Sequence, residues 1–482
     1  MQIKRKLEYP LWKIPYFLIK SLLVLIKVIR TGILSLLIEN KYFNKQIEFI
    51  LKILNFIFGN NNQKEIGKHL SNVLINLGPG YIKFGQALST RPDILGKKTC
   101  DELKILQDKL KPFSNSIARK IIQDENQKFL QENLALFNDD PIASASVAQI
   151  HTGVLKNGKK VAIKILKPNI HKELFRDFTF FYWITKFLEF CIPTIKRLKL
   201  PKNVEVLSEV SLNELDLTLE ASAADELAEN FKDHRNYRVP KIYWEFTTKN
   251  MLVLEFIDGI RIDDLESLNA SKHNIKNITE IGTEVFFLQV FRDGFFHGDM
   301  HPGNILIDKE GALVPIDFGI MGRLSNNDRQ FLALLLTNLL NKNYKKVVEI
   351  HDEANMLGKE ISHDHLSQAI RAISTPILNK PIGEVSLAKL LGQILSLSKK
   401  FNIEVQPQFT LLQKTMLMAE GTTRQINPSV NMWELSRPLI HKWITDTHDP
   451  FKVLEEWFYK NKIALLKIPE IIKKIDEILL NK

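Results

Sequence analysis

The chain has 482 residues, 45% hydrophobic and 25% charged, an ordinary globular mix and too long for one small domain. Its only cysteines, Cys100 and Cys191, stand far apart in no ligand-like spacing, which excludes a disulfide framework and a cysteine zinc site and makes a reducing compartment the expectation. The formal charge of +11 is concentrated in residues 1–50, with nine Lys/Arg against three Glu, and no RNA-binding aromatic motif, zinc finger or helix-turn-helix pattern accompanies it, so nucleic acid is not expected as a partner.

Phe17–Ile38 is strongly hydrophobic, yet Lys20, Lys27 and Arg30 interrupt it and its longest charge-free run is eight residues. A membrane span needs about twenty apolar residues, so the segment predicts an amphipathic helix. At about 100° per residue, Lys20, Lys27 and Thr31 share one side, while Leu22, Leu25, Ile26, Ile29, Ile33, Leu36 and Leu37 take the other. Such a helix can lie in a membrane interface, with Lys4, Arg5, Lys6 and Lys13 drawn to anionic headgroups and Tyr9, Trp12 and Tyr16 at interfacial depth, or it can pack on its own protein. Both readings stay open at this level. No small-residue cleavage site follows the apolar run, which argues against a signal peptide.

Residues 61–140 read as helical, with a break at Gly78-Pro79-Gly80. From Pro141 the pattern changes: Ser146–Leu155 and Lys160–Leu166 alternate like strands around Asn157-Gly158, a type I′ hairpin signal. Further strands are expected at Arg238–Trp244 and Asn250–Phe256, after which the chain is mainly helical. The organisation this implies is residues 1–60 as amphipathic N-terminal helices, 61–140 as a helical extension, 141–258 as a small β-rich lobe with inserted helices, 259–430 as a larger helical lobe and 431–482 as a helical tail. A β-rich lobe followed by a helical one is the kinase order, an α+β, two-lobed, atypical protein-kinase-like fold.

The chemistry-bearing motif is His297-Gly298-Asp299-Met300-His301-Pro302-Gly303-Asn304 followed by Asp317-Phe318-Gly319. Phosphoryl transfer needs a carboxylate at the nucleophile, an Asn oxygen on a metal and a second carboxylate on the metal bridging the phosphates. Asp299, Asn304 and Asp317 have that order and spacing, with the apolar stretches Ile305–Ile307 and Leu313–Ile316 as the hairpin that presents Asp317. ATP and Mg2+ are therefore the expected cofactors. Val161-Ala162-Ile163-Lys164 supplies the strand lysine for the α/β-phosphates, and Met251–Phe256 with Ile257-Asp258-Gly259 reads as the hinge, where backbone at Glu255 and Ile257 would meet adenine. The expected glycine-rich loop is replaced by Ala143-Ser144-Ala145-Ser146-Val147-Ala148-Gln149, which lacks glycine's freedom to approach phosphate closely. His297 is best read as support for the loop backbone; with His301, His351 and His363 it makes no metal-site spacing.

Lys83-Phe84-Gly85-Gln86, continuing through Ser89, Arg91, Pro92 and Asp93, resembles the K-x-G-Q signature of the UbiB family; Ala143–Gln149 is similar to its alanine-rich loop and Glu214-Leu215-Asp216 to its E-x-D element. The resemblance runs from about Leu77 to about Ile426. It implies that Lys83 and Gln86 cover the place where a protein kinase binds a peptide, held by Glu214 and Asp216, and that Glu220 pairs with Lys164. It also implies an atypical kinase or ATPase supporting ubiquinone biosynthesis, with quinone-pathway lipid intermediates and enzymes as partners, at the cytoplasmic face of the inner membrane. UbiB proteins of bacteria commonly end in two transmembrane helices, whereas this sequence ends on an amphipathic stretch from about Ile463, so peripheral association with an anionic membrane surface is expected instead. A protein kinase acting in trans and a nucleotide-binding scaffold are the rival readings; the first lacks an A-P-E-like anchor after Gly319, and no catalytic residue is degraded as the second would suggest.

Overall fold

The computed structural model describes residues 11–39, 45–59, 65–89, 92–108, 111–192, 196, 199–354, 356–358, 360–379, 386–401, 403, 405–428, 430 and 432–447. The chain forms two compact units, one running through Asp225 and taking in Pro240–Phe256, the other formed by Glu226–Val239 and the residues from Ile257 on.

The first unit begins with helices α1 (Ile14–Ile29), α2 (Ile33–Glu39) and α3 (Lys45–Phe58). The single amphipathic helix expected over Phe17–Ile38 is thus two, broken at Arg30–Gly32, where Gly32 takes φ 85°. Helices α4 (Ile66–Leu77), α5 (Pro79–Ser89), α6 (Pro92–Leu103, interrupted at Gly96), α7 (Ile105–Asp108) and α8 (Asn115–Glu125) follow. Leu70, Leu74, Tyr81, Leu103, Phe180 and Trp183 bury a common core with Phe17 of α1 and Ile33 of α2. This core makes the helical segments and the sheet region one unit, because α9 (Ile170–Cys191), which follows the first hairpin, supplies its aromatic side chains.

The sheet runs β1 (Leu134–Phe137), β3 (Ala148–Leu155), β4 (Lys160–Leu166) and β5 (Met251–Glu255), with β2 (Ala143–Ser144) also on β3. Strand β1 lies within the segment read as helical; a π-turn at Phe129–Asn133 leads into it, and its register against β3 shifts between Leu134 and Leu136. The β3–β4 turn is not type I′. Asn157 keeps negative φ and only Gly158 is left-handed, at φ 80°. Gly158 N–H donates to the Leu155 carbonyl (2.8 Å) and Leu155 N–H to the Lys159 carbonyl (2.8 Å), the longer hairpin that ends on a glycine bulge. No strand forms over Arg238–Trp244, which makes one isolated bridge, at Ile242, with another at Tyr237 just before it; Pro240 brings no N–H to a ladder there. Helices α10 (Leu200–Asn213) and α11 (Leu217–Asn230) complete this part of the chain.

The second unit contains β6 (Ile260–Arg261), α12 (Leu265–Ala270), α13 (Ile275–Phe287), β7 (Phe295–His297), β8 (Ile305–Ile307), β9 (Leu313–Pro315) and β10 (Met321–Arg323). Strands β6, β8 and β9 form one small sheet and β7 with β10 another. Helices α14 (Asn326–Leu340), α15 (Tyr344–Glu353), α16 (His363–Leu378), α17 (Leu387–Lys400), α18 (Pro407–Ile426) and α19 (Met432–Thr447) enclose a core that includes Phe286, Phe291, Leu336, Leu391, Leu412 and Met416. Ser325 starts α14 with a capping box, its hydroxyl accepting from Asp328 N–H while the Asp328 carboxylate accepts in return. No helix among the described residues is long and apolar enough to cross a membrane. Lys4, Arg5, Lys6, Tyr9 and the stretch from Ile463 lie outside the described residues.

Candidate active site

In the first unit, Lys164 occupies the middle of β4, opposite Ile150 of β3 and Leu252 of β5. Its ammonium donates to both oxygens of Glu220, at 2.6 and 2.9 Å. Glu220 is 7% exposed and lies in the first turn of α11, where unpaired helix N–H groups favour a carboxylate. The Ala/Ser loop is a tight hairpin: Ala143 and Ser144 pair with Ile150 and Gln149, and Ala145 N–H donates to the Ala148 carbonyl (2.8 Å). Ser146 and Val147 form its tip, so β3 begins at Ala148 rather than at Ser146, and Lys167 N–H donates to the Val147 carbonyl (2.8 Å). None of these residues has positive φ, so the loop needs no glycine for this path. The Ser144 hydroxyl is buried without a protein partner. Beneath the loop, Gln149 accepts from Phe113 N–H (3.0 Å) and meets His151 Nε2 at 2.7 Å. Burial holds the His151 pKa below its ordinary value. Glu255 ends β5, its N–H donating to the Lys241 carbonyl (2.9 Å), and Ile257 is where the chain returns to the second unit.

The K-x-G-Q residues lie on α5. Lys83 forms an ion pair with Glu214, the residue that closes the C-terminus of α10. A cation suits that end of a helix, where unpaired carbonyls gather. Asp216 does not join this pair: its carboxylate accepts from the Thr218 N–H (3.1 Å) and hydroxyl, the local bonding that an Asp just before a helix favours, with Lys249 3.9 Å away. Gln86 donates to the Leu106 carbonyl (2.9 Å) within its own unit. Gly85 has a steric reason: a Cβ there would come within 2.5 Å of Leu106 and 2.6 Å of Leu74.

In the second unit, His297 at the end of β7 joins the two motif segments. Its Nε2 lies 2.6 Å from the Asp317 carbonyl, and its Nδ1 accepts from Asp299 N–H (3.1 Å). Burial depresses its pKa, and this bonding assigns the neutral ring with the proton on Nε2. The loop is closed by further backbone bonds, His301 N–H to the Asp299 carbonyl (2.7 Å) and Asn304 N–H to the His301 carbonyl (2.8 Å). Asn304 Nδ2 points to the Asp299 carbonyl (3.3 Å), which turns Oδ1 the other way. Asp317 accepts from Gly319 N–H (3.3 Å), and Phe318 is buried beside it. His351 Nδ1 donates to the Val347 carbonyl (2.7 Å) within α15, and His363 opens α16.

Two residues of α18 also reach the loop, and no motif announced them. The Thr415 hydroxyl lies 2.9 Å from both the Gly298 carbonyl and the Leu411 carbonyl of its own helix, one proton shared between two acceptors, and Lys414 Nζ lies 3.5 Å from Asp299 Oδ1. They stand more than a hundred residues after the loop, so only the fold could reveal them.

Residues 105–351 match the ABC1 atypical kinase-like domain and residues 370–431 the UbiB helical domain. The chain is 38% identical over 394 residues to a probable protein kinase UbiB of Cellvibrio japonicus, covering 81% of this chain and 71% of that one. It is 36% identical over 423 residues to the protein of the same name from Sodalis glossinidius, covering 87% and 78% of the two chains. The chain belongs to the UbiB family. Among solved structures, Rv3197 of Mycobacterium tuberculosis, in complex with erythromycin, superposes with a TM-score of 0.51 at 21% identity over 81% of this chain and 96% of that one, a likeness of fold. The kinase-like match takes in Lys164, Glu214, Asp216, Glu220, Asp299, Asn304 and Asp317, whereas Lys83 and Gln86 precede it. Lys414 and Thr415 fall in the UbiB helical match, so the UbiB helical domain here touches the His297–Asn304 loop itself.

Proposed function

We propose that this UbiB-family chain binds MgATP and turns it over as an atypical kinase or ATPase in support of ubiquinone biosynthesis. It would act on quinone-pathway lipid intermediates at an anionic membrane surface, on the cytoplasmic face of the inner membrane. The observation that carries the reading is the His297 bridge, which ties the Asp299 N–H to the Asp317 carbonyl, with Asn304 Nδ2 in turn on the Asp299 carbonyl. Among the described residues no group of three His, Cys, Asp or Glu is placed to hold a metal alone. Mg2+ typically takes one or two protein oxygens and completes its shell from phosphate and water, and the oxygens of Asn304 and Asp317 are hard donors of that kind. The ion would neutralise triphosphate charge. Asp299 would receive the acceptor's proton, and Lys164, oriented by Glu220, would contact the phosphates.

The membrane part of the reading rests on α1 and α3. Lys20 faces inward, 3.5 Å from the fully buried Asp177 and 4.6 Å from the Phe180 ring centroid. Leu18, Ile19, Leu22, Leu23 and Leu25 are exposed on α1, as are Phe49, Phe56 and Ile57 on α3. An apolar face turned outward beside a cationic N-terminal segment suits insertion at an anionic interface.

The test is ATP hydrolysis by purified protein with and without anionic-lipid vesicles and quinone-precursor phenols, beside a radiolabel assay on a generic protein substrate. Magnesium-dependent hydrolysis stimulated by vesicles is expected, weakening as salt screens the lipid charge. Robust labelling of the protein substrate, without lipid stimulation, would favour a protein kinase instead.

A further inference from the structure

We propose that Lys414 is a positioning residue for Asp299, a cation delivered to the catalytic-type loop by the UbiB helical domain. The inference rests on the reading of Asp299 as proton acceptor in MgATP turnover. Within His297–Asn304 there is no Lys or Arg. The His297 ring is committed between the Asp317 carbonyl and Asp299 N–H, and His301 Nδ1 accepts from Gly303 N–H (3.2 Å). The loop therefore has no cation of its own to set beside its carboxylate, and Lys414 stands at that place, 3.5 Å from Asp299 Oδ1.

The geometry of α18 shows how the lysine is aimed. Thr415 is fully buried, its hydroxyl 2.9 Å from the Gly298 carbonyl, and a Cβ on Gly298 would meet Leu411 at 3.1 Å. Consecutive residues thus divide the work: Thr415 seats the helix against Gly298, and Lys414 extends to the neighbouring Asp299. Lys414 and Asp299 are 40% and 32% exposed, and such an ion pair contributes little to folding. Its effect belongs to the reaction.

In that reaction the acceptor O–H bond breaks and its proton passes to Asp299, while a new P–O bond forms to the γ-phosphorus. The bond from that phosphorus to the β–γ bridging oxygen breaks, and ADP leaves with its electron pair. Asp299 must point one oxygen at the acceptor throughout, and an ammonium on Oδ1 restricts the carboxylate's rotation and leaves Oδ2 for the proton.

The experiment compares Lys414→Met, Lys414→Arg and Thr415→Val with the parent in MgATP calorimetry, steady-state ATP turnover and thermal unfolding. For Lys414→Met we expect unchanged nucleotide affinity, KM and unfolding temperature, with kcat lower by roughly tenfold or more. Lys414→Arg should recover most of kcat, and Thr415→Val should lower the unfolding temperature. Parental kcat in Lys414→Met overturns the inference, as does a fall in unfolding temperature with equal loss in the Met and Arg variants. A parent that neither binds nor turns over MgATP overturns the functional reading and this inference with it.

Discussion

In the first unit the charged side chains are held against each other, Lys164 on Glu220 and Lys83 on Glu214, all four mostly buried. In the second unit Asp299, Asn304 and Asp317 stand on a loop and turn whose shape comes from backbone bonds and from one neutral histidine. The difference has a consequence for mutation. Removing one charge from a buried pair strands its partner, so fold and function suffer together, whereas a carboxylate carried by backbone scaffolding can be altered while the scaffold stays.

The largest expected effect tests the second unit. Asp317→Asn keeps the shape and the Gly319 N–H contact but loses the charge a bridging metal requires, so kcat/KM for MgATP should fall by about two to three orders of magnitude with little change in unfolding temperature. Calorimetry at fixed magnesium checks it: parental MgATP affinity would remove Asp317 from the metal. Next comes the first unit. Lys164→Met leaves Glu220 buried without this cation and should destabilise the protein by about 3 kcal/mol in denaturant unfolding, with activity lost as well. The Lys164→Met, Glu220→Gln double variant should recover part of that stability and none of the activity; additive losses would show that the pair is not coupled.

The smallest effect is one in which both units should behave alike. His151 in the first and His351 in the second are both held below the ordinary histidine value of 6.5, in each case chiefly by burial. The unfolded chain then binds more protons than the folded one at acid pH, so stability is full above about 6.5 and declines as pH falls below it toward the folded values. Denaturant titrations from pH 8 to pH 5 should show this loss, and His351→Gln should make it shallower by one ring's share; a stability flat across that window would mean that neither ring is kept neutral by its fold.

What the sequence by itself determined was local. The Asp299-to-Asn304 spacing, the D-F-G turn and the β3–β4 hairpin were legible because each is set by neighbours within a few residues, and the family resemblance followed from such motifs. The hairpin's turn type was misjudged for the same local reason: Asn157-Gly158 suits type I′, but its pairing with the flanking strands leaves only Gly158 left-handed. Tertiary structure alone decided how long-range charges are spent. It brought Lys83 to Glu214, turned Lys20 inward onto Asp177 while Leu22 and Leu25 of α1 stay exposed and Phe17 and Ile29 are buried, and brought Lys414 to Asp299. Periodicity reports that a helix has two faces but not which one meets the core, because that depends on what the rest of the chain offers it: here a buried carboxylate and an aromatic cluster on α9 outbid leucine for one side of α1.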